Sequence, residues 1–215
     1  MARGRFVTFE GGEGAGKSTQ VLRLIAALKR SGIKALATRE PGGAPGAELI
    51  RGLLVEGPPE LWDPLAEALL HNAARRQHAV LTIWPALERG DWVVSDRFAD
   101  STLAYQGYGQ GLDRTTIDAL RRITLNDFEP DLTIILDLPV SDGLARAKVR
   151  EAGKASRYEL MSEAVHERLR EGFLDIAKSN PKRCVVIDAR ASDDHVADEV
   201  RRVVGDRLGV SLLNG

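Results

Sequence analysis

Phe6-Val7-Thr8-Phe9-Glu10-Gly11-Gly12-Glu13-Gly14-Ala15-Gly16-Lys17-Ser18-Thr19 is the stretch that decides the fold. Its first four residues are aromatic or β-branched and favour an extended strand. From Gly11 to Ser18 the chain fills the phosphate-loop template G-x-x-x-x-G-K-[ST] at every fixed position. Val21, Leu22, Leu24, Ile25 and Leu28 then recur at helical spacing. The loop therefore stands between a strand and a helix. The glycines let the backbone curl until successive N–H groups converge on phosphate oxygens, at the positive end of that helix. Gly11 to Thr19 thus reads as the cradle of a nucleoside triphosphate, with Lys17 reaching the β/γ-phosphates and the Ser18 hydroxyl ligating Mg²⁺.

Outward from the loop, strand-like and helical segments alternate. A helix is predicted over residues 17–31, with Gly32 as its terminator, then a strand over 33–38. Residues 47–55 are helical, and a long helical pattern spans 64–87, kinked or cut short by Pro85. Residues 92–95 form an apolar strand, expected to be central. Helical pieces at 99–105 and 115–125 flank a glycine-punctuated loop, Gln106 to Gly111. Further strands are expected at 132–138 and 184–188, and helices at 141–149, 162–178 and 195–208. This alternation predicts one α/β domain over residues 1–215, in three α/β/α layers with a five-stranded parallel sheet.

With 215 residues, 43% hydrophobic, the chain can bury a full core. Lys+Arg 30 against Asp+Glu 31 leaves a net charge of −1, so no nucleic-acid partner is expected. The lone Cys184 lies in an apolar run and reads as a core thiol. Histidines 71, 78, 166 and 195 lack metal-ligand spacing. Met1 to Arg5 leads directly into the first strand and no long apolar run follows. A cytoplasmic protein without a membrane partner is the expectation.

The charged residues at strand ends carry the chemistry. Asp96 follows an apolar strand directly, where a carboxylate can hold Mg²⁺, and Arg97 next to it offers a planar fork for phosphate. Arg39-Glu40-Pro41-Gly42-Gly43 closes the second strand, at the edge where open α/β sheets bind ligands. Of Arg75 and Arg76, helical spacing puts Arg75 nearer the apolar face; a half-buried arginine needs an anion, so it is a candidate for a second phosphate unless its stem merely snorkels. Arg146, Lys148, Arg150, Lys154 and Arg157 populate a basic, glycine-containing segment, either a lid (about 146–158) or an ordinary solvated loop. Glu13 would be repelled by the donor phosphates, and makes sense pointing away toward a hydroxyl of a second substrate. These features describe phosphoryl transfer between two phosphorylated molecules.

Glu10 to Thr19, Thr38 to Gly43, Asp96-Arg97-Phe98 and Ser101 to Gly107 together resemble the bacterial thymidylate kinases. So do Glu67-Ala68-Leu69-Leu70 through Gln77-His78, Pro130 to Thr133 and Ser156-Arg157-Tyr158-Glu159, in the same order. The resemblance implies transfer of the ATP γ-phosphoryl group to dTMP with Mg²⁺, in a homodimer. It implies Lys17, Asp96, Arg97, Arg150 and Arg157 as catalytic residues, and Ser18 and Asp96 on the metal. Glu13 matches a carboxylate near the thymidine 3′-hydroxyl, and Arg75 an arginine near the thymine. The acceptor side further comprises Arg39, Glu40, Pro41, Arg51, Leu54, His71, Ser101, Thr102, Tyr105 and Gln106. Because Gly12, Glu13, Gly14 and Ala15 supply no arginine within the loop, the extra catalytic charge is expected from the lid, from Arg150 first. Three positions depart from the family pattern: His71 where a thymine-stacking Phe is usual, Ser156 where the lid reads Asp, and Thr102 where Asn or Ser is common. The nearest rival is another nucleoside-monophosphate kinase. A GTP-binding switch protein lacks support, since the chain has no Asn-Lys-x-Asp motif.

Overall fold

The structure, a computed structural model, describes residues 3–150 and 156–212, and the side chain of Arg150 is not among the described groups. Five strands form one all-parallel sheet: β1 (Phe6–Glu10), β2 (Ala35–Arg39), β3 (Trp92–Asp96), β4 (Leu132–Asp137) and β5 (Cys184–Asp188). Their spatial order is β2-β3-β1-β4-β5, so β1 holds the centre and β3 lies beside it. Register pairs Phe9 with Asp96 on one side and with Ile134 on the other.

Alternation along the strands sorts side chains to two faces. Val7, Phe9, Val94, Ile134 and Leu136 pack against Val21, Leu24 and Leu28 of α1 (Lys17–Arg30) and Val196 and Val200 of α9 (Asp193–Leu208). On the opposite face Phe6 and Val93 meet Ile83, Leu87 and Phe98, while Ile135 meets Phe173 and Ile176 of α8 (Glu163–Ser179). Phe6 touches Phe98 edge-on at 4.9 Å. The three layers expected from sequence are present.

The remaining helices are α2 (Pro45–Val55), α3 (Pro64–His78), α4 (Trp84–Glu88), α5 (Ala99–Thr102), α6 (Arg114–Leu125) and α7 (Val140–Arg150). Two expectations need correction. The 64–87 pattern is not cut short at Pro85 but runs on to Glu88, interrupted by a π turn at Ala79–Ile83 that ends two residues before the proline. The proline ring and its missing donor disturb the i→i−4 ladder there, and the wider turn absorbs the disturbance. Second, most of the expected loop at 106–111 is helical, in a π turn over Leu103–Gly109. Its glycines serve packing: a Cβ on Gly109 would lie 2.8 Å from Leu169, and one on Gly107 3.0 Å from Ile117. Strand β2 begins two residues later than its apolar run suggested and ends on Arg39, and α2 and α9 each start two residues earlier. Residues 151–155 of the expected lid lie outside the described residues.

Candidate active site

The carboxyl ends of β1, β2 and β3 open into one cleft of about 360 Å³. On one side stands the phosphate loop. Gly16 caps α1 with a left-handed backbone (φ 89°) and no side-chain cap, so the first amides of the helix face the loop. Gly14 also has positive φ, and a Cβ there would strike the Gly143 carbonyl on α7 at 2.0 Å. Lys17 folds over the loop and donates to the carbonyls of Gly11 (3.1 Å) and Gly12 (2.7 Å). Burial, followed by the charge of Arg97, lowers its pKa to about 8. Ser18 Oγ donates to Asp96 Oδ2 at 2.5 Å. A hydroxyl and a carboxylate oxygen side by side at the loop mouth suit a hard cation such as Mg²⁺, which takes one or two protein oxygens and completes its shell with phosphates and water. Among the described residues no cluster of three or more His, Cys, Asp or Glu forms a separate metal cage.

Opposite stands Arg97. Its backbone is left-handed (φ 69°), a conformation that costs a non-glycine residue roughly 1–3 kcal/mol and survives only where neighbours enforce it. The Arg97 N–H donates to Phe9 O at 2.9 Å, and the next N–H, of Phe98, donates to the buried Glu10 carboxylate at 2.7 Å. Ser101 Oγ donates to the other Glu10 oxygen at 2.6 Å. Glu10 therefore grips the chain just after Arg97, at Phe98 and Ser101, and burial, then Asp100, pushes its pKa up to about 8. The guanidinium donates to Gly11 O (3.0 Å), Ser101 Oγ (3.2 Å), Glu13 Oε1 (2.8 Å) and the Tyr105 hydroxyl (2.9 Å). Tyr105 in turn donates to Glu13 at 2.6 Å. Burial works against ionisation of Glu13, but Arg97 and Lys17 outweigh it and hold its pKa at about 2. Burial works against the charge of Arg97, but Tyr105, then Glu13 and Asp96, outweigh it and raise its pKa. Glu13 thus points away from the phosphate loop, toward Arg97 and Tyr105.

The far end of the cleft is lined by His71, Tyr105, Gln106 and Tyr158, with Val55 and Glu159 beside them. His71 Nε2 shares a hydrogen bond of 2.8 Å with the Tyr158 hydroxyl. Burial, then the charges of Arg75, Arg157 and Arg97, lowers its pKa to about 3, so the imidazole is neutral. Tyr158 meets Tyr105 edge-on at 5.4 Å. Arg51 lines the same cleft and donates to Pro41 O at 2.7 Å, while Arg39 pairs with Glu48 at 3.0 Å.

Several expected site residues lie elsewhere. Arg157, expected on the phosphates, is fully buried. Its guanidinium donates to the carbonyls of Leu54 (3.1 Å) and Pro59 (2.8 Å), to the equally buried Glu67 and, at 3.3 Å, to the Tyr158 hydroxyl. Its fork is consumed by α2, the turn at Pro59, α3 and its neighbour Tyr158. It is a staple at the root of the expected lid. The anion demanded by Arg75 is Glu40, at 2.8 Å, not a ligand phosphate; Thr102 Oγ1 accepts from it at 3.0 Å. Arg75 and Thr102 line a second, smaller cavity rather than the cleft. Leu54 is buried, and its neighbour Val55 lines the cleft instead. Gly11, Gly12 and Ala15 shape the loop without lining the cleft, as Glu13, Gly14, Gly16, Lys17, Ser18 and Thr19 do.

Sequence reading assigned no site role to Glu10, Val55, Glu67 or Tyr158. Glu10 had a signal: an acid directly ending an apolar strand beside the phosphate loop. Glu67 had another, because it falls one helical turn before His71 and two before Arg75.

A family model described as thymidylate kinase matches residues 9–200. A thymidylate kinase of Caulobacter vibrioides is 53% identical over 210 residues, covering 98% of this chain and 100% of the relative. That of Nitrobacter hamburgensis is 50% identical over 212 residues, with 98% and 92% covered. Among solved structures, a thymidylate kinase from Ehrlichia chaffeensis superimposes with a TM-score of 0.73 at 38% identity, covering 94% of this chain and 99% of that one.

Proposed function

We propose how the cleft works in a chain that belongs to the thymidylate kinase family and, as a nucleoside-monophosphate kinase, transfers the γ-phosphoryl group of ATP to dTMP, giving dTDP and ADP. The observation that carries the assignment of roles is the opposition of Lys17 and Arg97 across a single cleft, with Glu13 turned toward Arg97. ATP lies along Gly11 to Thr19, its phosphates on the loop amides, with Lys17 leaving the loop carbonyls for the β/γ-oxygens. Ser18 and Asp96 would hold Mg²⁺, which when bound would neutralise phosphate charge. The acceptor phosphate meets Arg97, its sugar hydroxyl donates to Glu13, and its base fills the end lined by His71, Gln106 and Tyr158. Arg39 and Arg51 add positive field at the acceptor entrance.

An oxygen of the acceptor phosphate attacks the γ-phosphorus as the bond to the β–γ bridging oxygen breaks and ADP leaves. Near neutral pH the acceptor phosphate is already an anion, so no strong base is required. Rate comes from alignment and from fixed positive charge, supplied by Lys17, Arg97 and Arg150 of the lid. The strained backbone of Arg97 fits this role, because its fork is oriented before substrate arrives.

A second copy of this chain completes the assembly. On adjoining helices, Leu49 and Leu53 of α2 and Leu65 and Leu69 of α3 form an exposed leucine face, Leu49 being 79% and Leu53 52% accessible. Such a face favours burial against its own copy about a two-fold axis. Among the described residues no helix is long and apolar enough to cross a membrane.

The direct test follows ADP release from ATP and Mg²⁺ against dTMP, dUMP, dCMP, AMP, GMP and dGMP. Turnover is expected to be fastest with dTMP. Preference for a purine monophosphate would overturn the acceptor assignment.

A further inference from the structure

Gln106 is fully buried, yet it lines the cleft. Its amide nitrogen donates to Glu67 Oε1 at 2.7 Å, and its Oε1 has no partner among the described residues. Either end of a side-chain amide could in principle face Glu67. Here the choice is forced. Glu67 is fully buried against Arg157, and Gln110 Nε2 also approaches it, at 3.4 Å. A carboxylate whose oxygens receive a guanidinium serves as an acceptor, so it takes the NH₂ end of Gln106 and leaves the carbonyl oxygen, itself buried, unpartnered at the cleft wall.

We infer that Glu67, locked by Arg157, is a positioning residue that fixes the polarity of Gln106, so that the acceptor pocket demands an N–H from the base edge it meets. The inference rests on the base occupying the His71–Gln106–Tyr158 end, as proposed above. Thymine and uracil carry a proton on ring nitrogen 3, whereas cytosine carries a lone pair there. A lone pair facing a fixed carbonyl oxygen leaves both acceptors buried and unpaired, the situation by which polar sites reject near-isosteres most strongly. The ion pair thus gives Arg157 a part in selecting substrate, at a distance from the phosphates.

The test compares kcat/KM for dTMP, dCMP and N3-methyl-dTMP in the whole enzyme, with thermal melts to confirm folding. Wild type is expected to reject both dCMP and N3-methyl-dTMP. If wild type turns over N3-methyl-dTMP as well as dTMP, the placement of the base fails. If wild type rejects it, the variants decide the role of Glu67. In Glu67→Gln the new amide can donate or accept, the Gln106 amide is free to flip, and the dTMP-over-dCMP ratio is expected to fall at least about tenfold. Should the unpaired Arg157 prevent folding, Glu67→Gln with Arg157→Met removes both charges and is expected to lose the same discrimination. Gln106→Leu keeps the ion pair and should lower the ratio by removing the partner of the base. A folded Glu67 variant whose ratio stays within about twofold of wild type would overturn the inference, and so would an unchanged ratio in Gln106→Leu.

Discussion

Replacing Arg157 with methionine separates a structural arginine from a catalytic one. The guanidinium is fully buried and bound to the Glu67 carboxylate and to the carbonyls of Leu54 and Pro59. Methionine fills much of the same volume but leaves Glu67 as a buried charge without its counter-ion, at a cost of about 3–5 kcal/mol. The two orphaned carbonyls add to this cost unless water reaches them. At roughly 2–4 °C per kcal/mol for a domain of this size, the melting temperature should fall by roughly 6–20 °C. The assay is a thermal melt followed by circular dichroism, paired with kcat at saturating ATP and dTMP at a temperature where the variant is folded. Turnover should fall by less than about tenfold, whereas an arginine acting on the transferring group is worth about 10³ or more. A melting temperature within about 2 °C of wild type, together with a thousandfold loss of kcat, would refute the staple and return Arg157 to the phosphates.

Arg97→Ala and Lys17→Ala should each lower kcat by about 10³ while the far-ultraviolet spectrum stays native; near-normal turnover in either would remove that residue from the transition state. Glu13, its pKa lowered from 4.5 to about 2, stabilises the fold when ionised; this contribution is complete above its unfolded pKa and is lost as pH falls through 4.5 toward 2. The shift corresponds to about 3 kcal/mol, so the stability advantage of wild type over Glu13→Gln in urea should shrink steadily between pH 5 and pH 2.5, and a pH-independent difference would contradict the Arg97 pairing. Leu49→Lys with Leu53→Glu should shift the light-scattering mass from twice the chain mass to that of one chain; an unchanged mass would remove this face from the interface.

The sequence carried those parts of the site that depend on local spacing. The phosphate loop, Lys17 and Ser18 follow from consecutive residues, and Asp96 and Arg97 from their place after an apolar strand. Alternation of elements carried the layers, but the strand order with β1 central arises from crossovers that periodicity does not encode. Failures came where a partner lies far along the chain. Arg157 looks like a free lid cation until Glu67, 90 residues earlier, is seen beside it in space. Arg75 needed an anion, as its half-apolar face implied, and found Glu40 rather than a ligand. The assignment of Leu54 missed by one residue, enough on a helix to turn a side chain from cleft to core. The glycines at 107 and 109 suggested a loop because a small side chain marks both turns and tight helix packing. Leu65 and Leu69 fall on the helical pattern of residues 64–87, yet they are exposed, since hydrophobic spacing alone does not settle which face of a helix is buried.

The central claim is that ATP and dTMP meet in one cleft and exchange the phosphoryl group directly, with no enzyme-bound phosphate in between. The stereochemical course at phosphorus tests it most closely, using ATP made chiral at the γ-position with oxygen isotopes and sulfur. A single in-line displacement between Lys17 and Arg97 requires inversion of configuration in the dTDP analogue. Retention would mean two successive displacements through a phosphorylated residue, and would contradict the account.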